Sequence, residues 1–137
     1  MPEKSSKTLV MKFGGTSVGS TKAMSGAVDI IRDARAEWPR VVVVTSALSG
    51  VTNLLLDTAS KAVAGDLSGL PDAEQGLLAN HETIASALVP DETRRAGVMD
   101  EIAGLVHYFV ELCEAIAVLG EATPRALDAV SGLGEKE

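Results

Sequence analysis

The chain has 137 residues, 46% hydrophobic, 23% charged and 3% aromatic, the make-up of a folded globular domain with an aliphatic core rather than a disordered segment. A net charge of −7 excludes a nucleic-acid surface built on a basic stripe, so any anion has to be held by local groups. The one cysteine, Cys113, excludes an internal disulfide framework and a cysteine-based zinc cluster, and it fits a reducing, cytoplasmic setting.

Residues 1–7 are polar and read as a disordered tail ahead of one domain over 8–137. The apolar residues behind that tail are too few for a signal-peptide core. Residues 9–13, Leu-Val-Met-Lys-Phe, form a strand broken by Lys12 and run directly into Gly14-Gly15-Thr16-Ser17-Val18-Gly19. A rigid strand holding a lysine, followed by glycines that let backbone N–H groups approach an anion, is the chemistry of a phosphate site. The helix after it adds its positive end. Gly14 and Gly19 have the spacing of G-x-x-x-x-G, but Ser20-Thr21 stands where that loop needs Lys-Ser/Thr, and G-x-G-x-x-G is absent. The neutralising cation therefore precedes the glycines, at Lys12. Without a ligand, the same features would serve as a snorkelling strand-end lysine and a tight turn.

Ser20 or Thr21 can cap a helix whose apolar face is Met24, Ala27, Val28, Ile31 and Ala34, and Trp38-Pro39 ends it. The four valines 41–44 predict a parallel strand covered on both faces. A β-α-β crossover is right-handed, so the loop at 14–19 should face the loop at 45–53 along one sheet edge. That second loop, Thr45-Ser46-Ala47-Leu48-Ser49-Gly50-Val51-Thr52-Asn53, offers hydroxyl and backbone donors. Ser46 and Thr52 also have the chemistry to cap the helix expected at 54–63.

A loop at 65–71 precedes a helix at 72–88 with Leu77, Leu78, His81, Ile84, Ala85 and Leu88 on one side, ended by Pro90. Residues 91–119 support one long helix, or two with a break near Gly97 or Gly104. Its buried face is Val98, Ile102, Leu105, Val106, Phe109, Leu112, Cys113 and Ile116, and the stretch reads as a globular helix rather than a membrane span. Gly120 stops it, and Thr123-Pro124 opens a short helix through Val130. His81 and His107 have no His or Cys at metal-ligand spacing and read as ordinary helix residues.

Three stretches together carry a family resemblance. They are Lys12-Phe13-Gly14-Gly15-Thr16-Ser17-Val18-Gly19, then Ser46-Ala47-Leu48-Ser49-Gly50-Val51-Thr52-Asn53, and more weakly Ser131-Gly132-Leu133-Gly134-Glu135. The chain resembles the N-terminal part of the catalytic domain of the aspartokinases, within the amino acid kinase family. The resemblance implies an α/β fold, the N-terminal portion of the carbamate kinase-like three-layer αβα domain with a mainly parallel sheet. It implies transfer of phosphate from ATP, with Mg2+ carried by the nucleotide and no protein metal ligand, to the side-chain carboxylate of L-aspartate. This is a cytoplasmic step toward lysine, threonine and methionine.

Carried over by position, Lys12 is the catalytic cation, and Gly14, Gly15, Thr16, Ser17, Ser46 and Gly50 bind phosphate or ATP. Thr52 and Glu135 bind the substrate. A carboxylate is already ionised near neutral pH, so no general base is assigned.

Two strands make a poor sheet, and the nucleotide half of the family's domain has no counterpart here. The expectation is therefore a truncated chain, inactive alone. Two alternatives stand beside it: a non-catalytic half-domain that assembles with a complementary chain or with itself, and a different carboxylate or carbamate kinase of the same fold. No nucleic-acid or membrane partner is expected.

Overall fold

A computed structural model of the chain describes residues 7–136. Of the tail expected at 1–7, only Lys7 falls among them. The chain divides into two compact units, Met1–Ser49 and Gly50–Glu137, an α/β unit and a helical one.

The first unit runs β1 (Thr8–Phe13), α1 (Gly15–Val18), α2 (Thr21–Glu37) and β2 (Arg40–Thr45). The strands pair in parallel, with Lys12 opposite Val44 and Phe13 opposite Thr45. The parallel α/β architecture expected from the two apolar runs is thus present. Ser20 caps α2, its Oγ accepting from the Ala23 N–H at 3.2 Å, and the helix ends at Trp38, whose extended backbone is what a residue before proline favours. Ala27 and Ala34 are buried as expected, but Val28 is exposed and Met24 and Ile31 only half-buried, so the apolar face of α2 is narrower than its spacing predicts.

Side chains alternate across a strand, so Phe13 and Lys12 point to opposite faces. Phe13 is buried on the side of α2, where it shares a cavity with Ala23, Ala27 and Ile30. The other face carries Val10, Lys12, Val42 and Val44, all exposed. Val42 and Val44 are each 47% exposed, and Val43, on the α2 side, is 40% exposed, which corrects the expectation of a valine strand covered on both faces. The reason is that β2 has β1 as its one strand neighbour among the described residues, and α2 packs on one side of the pair.

The second unit is α3 (Val51–Val63), α4 (Leu70–Leu88), α5 (Glu92–Leu119) and α6 (Pro124–Leu133). Helix α3 starts at Val51 rather than at 54. Gly50 adopts φ +84°, a left-handed turn that aims its carbonyl at the Leu54 N–H, 3.0 Å away, and so begins the helical ladder early. In the turn to α4, Asp66 accepts from the Ser68 Oγ at 2.6 Å and the Ser68 N–H at 3.0 Å, and these bonds hold its carboxyl below the usual range. Pro71 lies in the first turn of α4, where its missing N–H costs nothing.

Helix α5 is continuous through Gly97 and Gly104. Its ends are well defined, since Asp91 Oδ1 accepts from the Arg94 N–H at 2.7 Å and Gly120 turns out at φ +70°. Ile102, Val106, Phe109, Cys113 and Ile116 are buried against α3, α4 and α6. Leu105 and Leu112 are half-buried, and Val98, expected inside, is exposed, because these three sit at the rim of the packed face rather than at its centre. Length and composition alone would let α5 cross a membrane, its most apolar 18-residue window having a mean hydropathy of 1.8. His81 is buried, with Nδ1 2.7 Å from the Leu77 carbonyl oxygen, so the tautomer with a proton there donates to it. Helix α6 runs past Val130 to Leu133, both buried, and absorbs Ser131 and Gly132 into its last turn.

Candidate phosphate-binding site

The first unit brings the end of β1 and the loop after β2 together. The Ser46 N–H donates to the Phe13 carbonyl at 3.1 Å, extending the parallel ladder past the strand ends. Beyond that bond β1 turns at Gly14, whose extended backbone hands the chain to the single turn of α1, closed by the Ser17 N–H donating to the Gly14 carbonyl at 2.9 Å. Lys12 is exposed on the bare face of the sheet, two residues before the turn. Thr16 and Ser17 are exposed, and Gly14 and Gly15 half-buried.

Gly15 sits over the second loop: a Cβ built there would lie 3.7 Å from both the Ser46 Oγ and the Ala47 carbonyl, ordinary contact distances. Gly19 is tighter, since a Cβ there would lie 2.6 Å from the Ser49 Cβ and 2.7 Å from the Gly15 carbonyl. Glycine at 19 is thus what lets the turn close onto Ser49. Neither residue is among those assigned a site role from sequence. The signal was present in the G-x-x-x-x-G spacing, where the second glycine is needed for its size.

Ser46 is half-buried, and its hydroxyl donates to the Ala47 carbonyl at 2.9 Å. Its lone pairs are open to an incoming donor, and to donate to an anion it must rotate off that carbonyl. Gly50 and Thr52 belong to the helical unit, Gly50 as the left-handed N-cap of α3 and Thr52, half-buried, in its first turn. Neither Ser46 nor Thr52 caps α3, because the backbone of Gly50 does so. Glu135 is exposed in the turn that follows α6.

The cluster in the first unit therefore contains one lysine, two glycines at a helix start and the hydroxyls of Thr16, Ser17 and Ser46, with no carboxylate in it. Such a donor set suits a phosphate and not a bare cation. Among the described residues no three His, Cys, Asp or Glu side chains gather as a metal site. A cavity of about 450 Å³, lined by Phe13, Ser17, Ser20, Lys22, Ala27 and Ile30 among others, shares Ser17 with this cluster, opens on the Phe13 side of the strand and is mostly apolar. It is a groove along α2, not the place Lys12 reaches.

The family model described as the amino acid kinase family matches residues 7–135. The chain is 39% identical over 90 residues to an aspartate kinase of Pseudomonas fluorescens, an alignment covering 66% of this chain and 22% of that protein. To an aspartokinase of Candida albicans it is 34% identical over 132 residues, covering 93% of this chain and 24% of the relative. Among solved structures, it superposes on Escherichia coli aspartokinase III with lysine and aspartate (T-state) at a TM-score of 0.78, with 28% identity, over 96% of this chain and 27% of that one. The same enzyme with aspartate and ADP (R-state) gives a TM-score of 0.73 and 30% identity, over 95% of this chain and 26% of that one. The chain thus spans about a quarter of the length of these relatives.

Proposed function

This chain belongs to the amino acid kinase family, and from that premise we propose that it carries the phosphate-facing part of an aspartate kinase. The reaction is transfer of the γ-phosphoryl group of ATP to the side-chain carboxylate of L-aspartate. An oxygen of the carboxylate bonds to the γ-phosphorus as the bond from that phosphorus to the ADP bridging oxygen breaks. No proton has to be removed, because the carboxylate is ionised near neutral pH. The work left to the protein is positioning and charge neutralisation.

Lys12 neutralises the transferring phosphoryl oxygens, while backbone N–H groups of Gly14 and Gly15 and the hydroxyls of Thr16, Ser17 and Ser46 hydrogen-bond to them. By the family resemblance Gly50 contributes to binding phosphate or ATP, and Thr52 and Glu135 to binding the aspartate. Mg2+ carried by the nucleotide would supply further positive charge at the phosphates, and none of these residues is assigned to it as a ligand. The setting is a cytoplasmic pathway toward lysine, threonine and methionine, without nucleic-acid or membrane partners.

The single observation that carries this reading is the meeting of the Gly14–Gly19 turn with Ser46, Ala47 and Ser49, beside an exposed Lys12. Aspartate and ADP bound to the E. coli relative support the choice of substrates.

A titration with MgATP followed by amide resonances tests it. Signals of Gly14, Gly15, Thr16 and Ser17 are expected to move. Lys12→Met should weaken the affinity by about 1.5–3 kcal/mol, roughly 10- to 150-fold, as for a lost charged hydrogen bond. The far-UV spectrum should not change, because Lys12 is exposed. An unaltered affinity in Lys12→Met would remove this lysine from the site.

A second reading is favoured by the bare face of Val10, Val42 and Val44. A parallel strand pair wants neighbours and cover, so the chain acts as a half-domain that further kinase polypeptide completes. On that reading the purified chain alone does not turn over. Phosphorylation of aspartate by it at an enzyme-like rate would refute the need for completion.

A further inference from the structure

The turn of α1 touches the second loop at two points, one turn apart on the same side. At Gly15 a Cβ would meet the Ser46 Oγ and the Ala47 carbonyl at 3.7 Å and the Ser49 Cα at 3.8 Å, so side-chain size is not limited there. At Gly19 it would lie 2.6 Å from the Ser49 Cβ, where two carbon atoms prefer about 3.5–4.0 Å. Gly19 has φ −79°, a negative value open to any residue, so the position demands the absence of a side chain and not a special backbone. The Ser49 Cβ and N, rather than its hydroxyl, are the nearest atoms of the second loop. The Gly15 carbonyl, 2.7 Å from the same point, ends a single helical turn and can tilt outward. Ser49 has no such freedom. Ala47 and Leu48 before it are each 8% exposed, and Val18 before Gly19 is 4% exposed, so both sides of the contact are pinned by buried neighbours.

We propose that Gly19 and Ser49 are a size-matched pair of positioning residues for the phosphate site. Between them they place one Cβ where the two loops touch, and that single carbon sets how closely Thr16 and Ser17 stand to Ser46. The inference rests on the phosphate-site reading and deepens it. A methyl group at 19 acts as a wedge: α1 hinges about its Gly15 contact, and the hydroxyls of Thr16 and Ser17 swing away from Ser46. A displacement of about 1 Å is enough to cost up to about 100-fold where several donors converge on one phosphoryl group.

MgATP titrations of the whole chain, followed by amide resonances, test the pairing. Gly19→Ala should weaken the affinity at least tenfold. Adding Ser49→Gly, which leaves one Cβ at the contact but on the other loop, should recover most of that loss, the non-additivity expected of residues that touch. Adding Ser49→Ala instead should recover none of it, because the obstructing Cβ remains. Before nucleotide is added, the amide resonances of Gly15 and Ser46 should move in Gly19→Ala and return with Ser49→Gly, a local signature that a general loss of stability does not give. If Gly19→Ala unfolds the chain, refolding by Ser49→Gly is the same rescue, and failure to refold overturns the proposal. Unchanged affinity in Gly19→Ala, or equal rescue by Ser49→Ala and Ser49→Gly, overturns the pairing and leaves the phosphate-site reading standing. Absence of MgATP binding by the unsubstituted chain overturns that reading itself, and the positioning role with it.

Discussion

Alanine at Gly50 and alanine at Gly104 are expected to shift the stability of the helical unit in opposite directions. Gly50 is held at φ +84° with nothing within 4 Å of the position a Cβ would take, so the cost of a side chain there is one of backbone alone. For an L-residue in the left-handed region that cost is about 1–2 kcal/mol. Gly104 lies in the interior of α5, also with open space around it but with ordinary helical backbone. Alanine there restricts the unfolded chain and gains about 0.4–1 kcal/mol. The two variants should therefore differ by roughly 1.5–3 kcal/mol, with each kcal/mol worth about 4–8 °C in a domain of this size. Both glycines belong to the same compact unit, so urea unfolding followed by helical circular dichroism gives them a common reference. Gly50→Asn adds a control, because asparagine tolerates left-handed backbone and should retain most of the stability that alanine loses. Shifts of the same sign and size for Gly50→Ala and Gly104→Ala would refute the reasoning.

Two further expectations concern the same helical core. Phe109 is fully buried and is the largest such side chain, so Phe109→Ala should cost about 3–5 kcal/mol in urea unfolding, transfer and cavity terms together. Burial also pushes the Cys113 thiol up from 9.0 to about 11. The folded pKa is the higher one, so the associated stability is fully present below pH 9 and is lost as pH rises from about 9 to 11. Denaturation midpoints of Cys113→Ala should fall less over that window than those of the unsubstituted chain. The native thiol should also react slowly with a disulfide reagent near pH 8 until the chain unfolds.

Much of this was legible because the local signals agree with one another. Ser20 and Thr123 each cap a helix through their own side chain, and Gly120 ends α5, all as their chemistry predicts. Where expectation failed, the cause was backbone geometry or tertiary packing rather than side-chain chemistry. The start of α3 moved to Val51 because a glycine backbone rather than a serine or threonine hydroxyl caps it. Of the two readings left open for 91–119, the single long helix is the one found, because a helix packed along its length tolerates two exposed glycines at about 1 kcal/mol each. The family motif marked Lys12, Gly14, Gly15, Thr16, Ser17 and Ser46, yet not Ser49, whose part in the site is steric and follows from a close approach by Gly19.

By itself the sequence determined the strand and helix order, the parallel sense of the pair and the glycine turn beside a lysine, since each follows from periodicity, capping or backbone freedom within a few residues. Burial was decided only by tertiary structure. Four consecutive valines look the same whether one face of their sheet is covered or two, because burial depends on which elements pack alongside and not on the residues themselves. The same holds for Val98 of α5, placed inside by its spacing but left exposed where the neighbouring helices stop covering α5.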